Sequence, residues 1–150
     1  MPTPSPAGQP PAMGAGEIRL LLVEDHSMVA MALTSAFEVV DDIVLVGEAA
    51  SIAEALEAVE RERPDIVLLD RRLPDGDGLD AIAPLRLRSP GSRVLVFTGV
   101  ADAADAARAA EAGGAGLVLK AGKLDDLLET IRRVAAGQDA FDTDGRPPGP

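Results

Sequence analysis

Cysteine, tryptophan and tyrosine are absent from the 150 residues, and histidine occurs once. Without cysteine there are no disulfide staples, thiolate metal sites or cysteine nucleophiles, which fits a reducing compartment such as the cytoplasm. A single histidine removes multi-histidine metal centres, and the few phenylalanines make no stacking platform for nucleic acid. Basic residues are scarce, with 14 Lys and Arg against 25 Asp and Glu and a net charge of -11. Such a surface repels phosphate backbones and anionic lipid, so direct nucleic-acid or membrane binding is not expected. No apolar run approaches the ~20 residues that span a bilayer, and the N-terminus shows no charged-then-apolar signal. What is expected from these absences is a small, soluble, acidic domain, with a cytoplasmic location.

Hydrophobic residues make up 47% of the chain, enough for a packed core. Residues 1–16 are rich in Pro, Gly and Ala and are expected to be a disordered lead. Residues 139–150 fall back into Gly, Pro and Asp and are expected to be a disordered tail or truncated linker. Between them, residues 17–138 alternate short β-type runs with helical patterns. The runs are Ile18–Val23, Ile43–Glu48, Ile66–Leu69, Arg93–Phe97 and Leu117–Leu119. Several are continuously apolar, as strands covered on both faces should be. Helical periodicity falls near 27–39, 52–62, 77–88, 101–112 and 123–136. Ser51-Ile52-Ala53-Glu54 has the capping-box pattern, and Gly113 stands where a left-handed helix end is wanted. The alternation predicts an α/β fold, a doubly wound five-stranded parallel sheet with helices on both faces.

Ligands of such sheets bind beyond the carboxyl ends of the strands. Those ends carry Glu24-Asp25, Asp70, Thr98-Gly99 and Lys120. Taken alone, any one of these acids reads first as a turn former or helix cap, and a lone lysine as a solvated charge. Three carboxylates in one pocket repel one another, and a divalent cation with a neighbouring ammonium relieves that repulsion. Hard oxygen ligands without a Cys or His cluster favour Mg²⁺. The set suits phosphoryl transfer: metal and Lys120 neutralise phosphoryl oxygens, Thr98 donates a hydrogen bond, and Asp70 is the in-line nucleophile. Gly99 leaves room beside Thr98.

With Val23-Glu24-Asp25, Asp70 followed by Arg71-Arg72-Leu73-Pro74-Asp75-Gly76-Asp77-Gly78, Thr98-Gly99 and Lys120 in this order, residues 17–138 resemble the response-regulator receiver domain of two-component signalling. Glu24-Asp25-His26 and Ile131-Arg132-Arg133-Val134-Ala135-Ala136-Gly137 look like the NarL/LuxR-type group, although the stretch after Gly137 is too short for a helix-turn-helix. The resemblance implies the flavodoxin-like (βα)5 fold with strand order 2-1-3-4-5. It also implies that Asp70 accepts a phosphoryl group from a phosphohistidine of a sensor histidine kinase or phosphotransfer protein. Asp25, Asp70 and the main-chain carbonyl of Arg72 would hold Mg²⁺, with Glu24 acting mainly through bound water. Thr98 would move toward the phosphoryl group and Lys120 would pair with it. The first helix would meet the kinase, and the first and fifth helices would offer a homodimer surface. A receiver acts only on itself, so it is not expected to be a conventional enzyme.

The chain departs from the family at the switch position three residues before Lys120, where Leu117 replaces the usual aromatic ring and puts the usual relay in question. Pro84 falls inside the expected third helix and predicts a kink or a late start. The alanine-rich fourth helix buries little area and should be weakly anchored. His26 is read as the start of the first helix or a partner of the carboxylates. Arg71 and Arg72 either screen the pocket or are solvated loop residues, and Asp75 and Asp77 serve the turn and a helix cap. Two rival functions stand beside the receiver. One is a degenerate receiver used as a phosphorylation-independent interaction module. The other is an unrelated hydrolase, which lacks a Gly-x-Ser-x-Gly elbow or a P-loop.

Overall fold

Along the strands alternate side chains face opposite sides of the sheet, and each set is covered by its own helices. The structure, a computed structural model, describes residues 16–142. Five strands pair in parallel, β1 (Ile18–Val23), β2 (Ile43–Ala49), β3 (Ile66–Asp70), β6 (Arg93–Thr98) and β7 (Gly116–Leu119). Leu21, Val23, Val67, Leu69, Val94, Val96 and Leu117 pack against α2 (Ile52–Glu62), α3 (Gly78–Arg88) and α4 (Ala103–Glu111). Leu20, Leu22, Ile66, Leu68, Leu95, Phe97 and Val118 pack against α1 (Ser27–Glu38) and α5 (Leu124–Ala135). Central strands covered on both faces are what the unbroken apolar runs require.

The sheet has six strands where the sequence predicts five: its order is β2-β1-β3-β6-β7-β8, the expected flavodoxin-like order plus an edge strand β8 (Ala140–Phe141). Gly137 turns the chain at a φ of 99° after α5. The Ala140 amide then donates to the Ala115 carbonyl (3.0 Å) and the Asp142 amide to that of Leu117 (2.7 Å). Gly116 makes this possible, because a Cβ there would collide with the Ala140 carbonyl oxygen. The segment expected as a tail from Asp139 therefore contributes two residues to the sheet. Residues 143–150 of that tail, with lead residues 1–15, lie outside the described residues.

Neither the loop nor the helices follow the sequence reading in every detail. The loop after β3 folds into a small antiparallel hairpin, β4 (Arg72–Leu73) with β5 (Gly76–Asp77). α3 does not start late but runs continuously across Pro84, because Leu79, Ala81, Ile82 and Leu85 are buried on both sides of it. α2 is capped at Ser51, whose side chain accepts from the Glu54 amide. Glu54 reaches past it to the Ala50 amide, so the capping box is only half formed. Gly113 takes its left-handed place after α4 at a φ of 100°. Among the described residues no helix is long and apolar enough to cross a membrane.

Candidate functional site

The carboxyl ends of β1, β3, β6 and β7 bring Glu24, Asp25, Asp70, Thr98 and Lys120 to one edge of the sheet, as their sequence positions predict. Asp70 is the last residue of the fully buried β3 and is itself 3% exposed. The Glu24 side chain is completely buried, whereas that of Asp25 is 32% exposed at the mouth. Ligand atoms of Glu24, Asp25, Asp70 and His26 all lie within 4.8 Å of one another.

Lys120 is the cation set among these acids. Its Nζ is 3.2 Å from Oδ1 of Asp70 and 3.1 Å from Oε1 of Glu24. Oε1 nevertheless has no hydrogen bond of good geometry, so the contact with Glu24 is a charge contact off the bonding axis. The Lys120 ammonium also sits over the Phe97 ring, 5.6 Å from its centre. Burial pushes the Asp70 carboxyl up from the usual range and the Glu24 carboxylate pushes it further, against the pull of Lys120.

Oδ2 of Asp70 is buried and has no hydrogen-bond partner. A buried carboxylate oxygen left bare is costly unless something binds it. With carboxylates outnumbering the one close ammonium, the donor set fits a hard divalent cation. The Arg72 main chain lies against this centre, its amide donating to Oδ1 of Asp70 at 3.3 Å. The carboxylates of Glu24, Asp25 and Asp70 are therefore close enough together to hold such an ion.

Beyond Asp70 opens a cleft of about 790 Å³ lined by Asp70, Thr98, Gly99, Lys120, Arg71 and Asp105 among others. Thr98 is buried, and its hydroxyl makes only a long 3.4 Å bond to the Val100 carbonyl, so it is lightly held. A Cβ at Gly99 would meet no atom within 4 Å, so the space beside Thr98 is open. Leu117, the switch position, is fully buried among core residues of the α2–α4 face and paired through the sheet with Val96.

His26 fills both roles read for it. It is the N-cap residue of α1, and its Nδ1 lies 3.1 Å from Oε2 of Glu24 and 3.5 Å from Oδ1 of Asp25. Asp77 caps α3 by accepting from the Leu79 amide at 2.9 Å. Asp75 caps a different helix than its position implies, accepting from the Ile52 and Ala53 amides at the start of α2. Arg72 is exposed, but Arg71 is not a solvated loop residue. Its guanidinium pairs with Asp77 (3.3 Å) and with Asp105 of α4 (2.9 Å), with its side chain 23% exposed. Sequence reasoning missed this link and its neighbour, Arg108 with Asp77 and Asp80.

The chain belongs to the response regulator receiver domain family, whose pattern it matches over residues 20–132. Among similar proteins, the DNA-binding transcriptional activator DevR/DosR of Mycobacterium tuberculosis is 35% identical over 83% of this chain and 58% of its own length. The response regulator protein VraR of Staphylococcus aureus is 31% identical over 83% of this chain and 60% of its own. The chain thus spans about three fifths of the length of the curated relatives it matches. A LuxR-family two-component response regulator from Aurantimonas sp. SI85-9A1 superposes with a TM-score of 0.79 at 33% identity, covering 83% of this chain and 89% of that one. The signal receiver domain of NarL from Mycobacterium tuberculosis gives 0.77 at 28% identity, covering 82% and 99%. The relatives are NarL/LuxR-type response regulators, as Glu24-Asp25-His26 and the α5 pattern imply.

Proposed function

We propose that this receiver accepts a phosphoryl group on Asp70 from a phosphohistidine of a sensor histidine kinase or phosphotransfer protein, in a reaction that depends on Mg²⁺. The observation that carries the reading is Asp70 itself, buried at the end of the central strand with Oδ2 bare and Lys120 against Oδ1. An Asp70 carboxylate oxygen attacks phosphorus in line as the P–N bond breaks, and the imidazole leaves with the electron pair and takes up a proton. The product is an acyl phosphate on Asp70. Asp25, Asp70, the Arg72 carbonyl and, through water, Glu24 would hold Mg²⁺, which when bound neutralises phosphoryl charge.

Lys120 supplies the second positive charge and partly offsets the burial and the Glu24 charge that push the Asp70 carboxyl up. The Thr98 hydroxyl, weakly engaged at Val100, is free to turn toward a phosphoryl oxygen. On α1 the exposed Met28 and Met31 offer a partner an apolar foothold beside the site. The protein is a cytoplasmic signalling switch that acts only on itself and is not a conventional enzyme. Phosphorylation shifts it between two conformations that a partner or output distinguishes. Intact-protein mass after incubation with acetyl phosphate tests this. A phosphoryl adduct that needs Mg²⁺ and is absent from Asp70→Asn is expected, whereas an unmodified wild type would favour a degenerate interaction module.

A further inference from the structure

α4 is fastened to the rest of the fold by charge rather than by apolar burial. Of its nine residues only Ala109 is buried. In α3, by contrast, Leu79, Ile82 and Leu85 are all buried. What crosses from α4 to the phosphoacceptor loop is an ion network. Arg71, next in sequence to Asp70, reaches Asp105 at 2.9 Å and Asp77 at 3.3 Å. Arg108 reaches Asp80 at 2.8 Å and Asp77 at 3.5 Å. Arg71 and Asp105 both line the cleft that opens on Asp70, and their side chains are only 23% and 24% exposed. Leu117, at the position of the usual switch ring, is meanwhile locked in the core.

We propose that Arg71 is a positioning residue that latches α4 to the phosphoacceptor loop through Asp105, and that phosphorylation of Asp70 opens the latch. The second half rests on the function proposed above. A phosphoryl group in the cleft brings negative charge close to a guanidinium already committed to two carboxylates. A phosphoryl oxygen is a strong acceptor for guanidinium hydrogen bonds and competes with Asp105 for it. Released from Arg71, α4 keeps its own capping box between Asp102 and Asp105 but loses a main tie to the loop. The helix loosens as a unit, with no swinging aromatic ring.

Hydrogen exchange of residues 103–111 in the full chain tests this, with the phosphorylated fraction followed by intact mass. Without phosphoryl donor, Arg71→Gln is expected to raise α4 exchange about two- to fivefold, the range for losing a partly exposed ion pair, with β3 and β6 unchanged. Asp105→Asn, which retains an oxygen for the Asp102 amide, is expected to do the same. Phosphorylation should raise α4 exchange in the wild type and add little in either variant. Unchanged α4 exchange in both unphosphorylated variants would overturn the latch. An equal phosphorylation response in variants and wild type would overturn its role in switching. A wild type that takes no phosphoryl group would overturn the proposed function and the trigger, while the unphosphorylated comparison still decides the latch.

Discussion

Lys120 holds its ammonium 3.2 Å from Oδ1 of Asp70 and, on the same nitrogen, bridges to the buried Glu24. One ammonium therefore offsets part of the charge of two buried acids. Removing a partner from such a group leaves buried charge uncompensated. Lys120→Met should cost about 1–3 kcal/mol in metal-free buffer, less than for a fully buried pair because Lys120 is partly exposed. Thermal melts with EDTA and with excess Mg²⁺ check it, and Mg²⁺ should recover part of the loss. A variant as stable as wild type in EDTA would contradict this compensation by Lys120.

Neutralising Asp70 should have the opposite sign. Its folded carboxyl is raised above the ordinary 3.8 by burial and then by Glu24. The proton is thus held more tightly in the folded state. The stability that Asp70 contributes is complete below 3.8 and is lost as pH rises through its folded value. Asp70→Asn should therefore melt about 2–5 °C above wild type at neutral pH without divalent cations. That advantage should shrink as the pH falls. A gain that does not depend on pH would refute the electrostatic cause.

The loop after β3 turns back on itself at Gly78, whose amide donates to the Arg71 carbonyl at 2.6 Å. A Cβ there would collide with the Asp70 carbonyl oxygen and lie 3.0 Å from the Arg71 Cα. Both obstacles are backbone and cannot swing aside. Gly78→Ala should destabilise the protein by about 1–3 kcal/mol, as overpacking does, and lower the rate of Asp70 phosphorylation. Denaturant titration and phosphorylation kinetics measure the two effects, and a neutral result in both would mean the loop yields.

Far from the site, Arg132 of α5 grips Asp42 before β2 with Nε at 2.6 Å from Oδ2 and a second nitrogen at 3.1 Å from Oδ1. The Arg132 hydrogen bond is the main reason the Asp42 carboxyl lies below its ordinary range. Its contribution is present above the unfolded value of 3.8 and lost as pH falls through the lower folded value. Both side chains are about two fifths exposed, so the pair should contribute under about 1 kcal/mol at neutral pH. A double-mutant cycle of Arg132→Ala and Asp42→Asn should give that coupling at neutral pH and less in strong acid or high salt.

Much of this was legible because the site is backbone-placed. Glu24, Asp70, Thr98 and Lys120 each follow an apolar run, and a parallel sheet puts all such ends on one edge. Strand β8 was not legible, since Ala140–Phe141 is too short for periodicity and depends on close approach to Gly116. The continuity of α3 across Pro84 follows from buried neighbours that outweigh local preference. Asp75 caps α2 rather than its own turn, and Arg71 finds Asp105 on a distant helix. Those pairings depend on which loops meet in three dimensions, and nothing in the local spacing carries them.

In the proposed reaction Asp70, and no other carboxylate of the pocket, becomes the acyl phosphate. The most direct test of this is borohydride reduction of protein treated with acetyl phosphate and Mg²⁺, followed by peptide mass sequencing. Reduction converts a phosphorylated aspartate to homoserine, and homoserine is expected at position 70 alone. Homoserine at position 25, a reduced Glu24, or no reduced residue would contradict it.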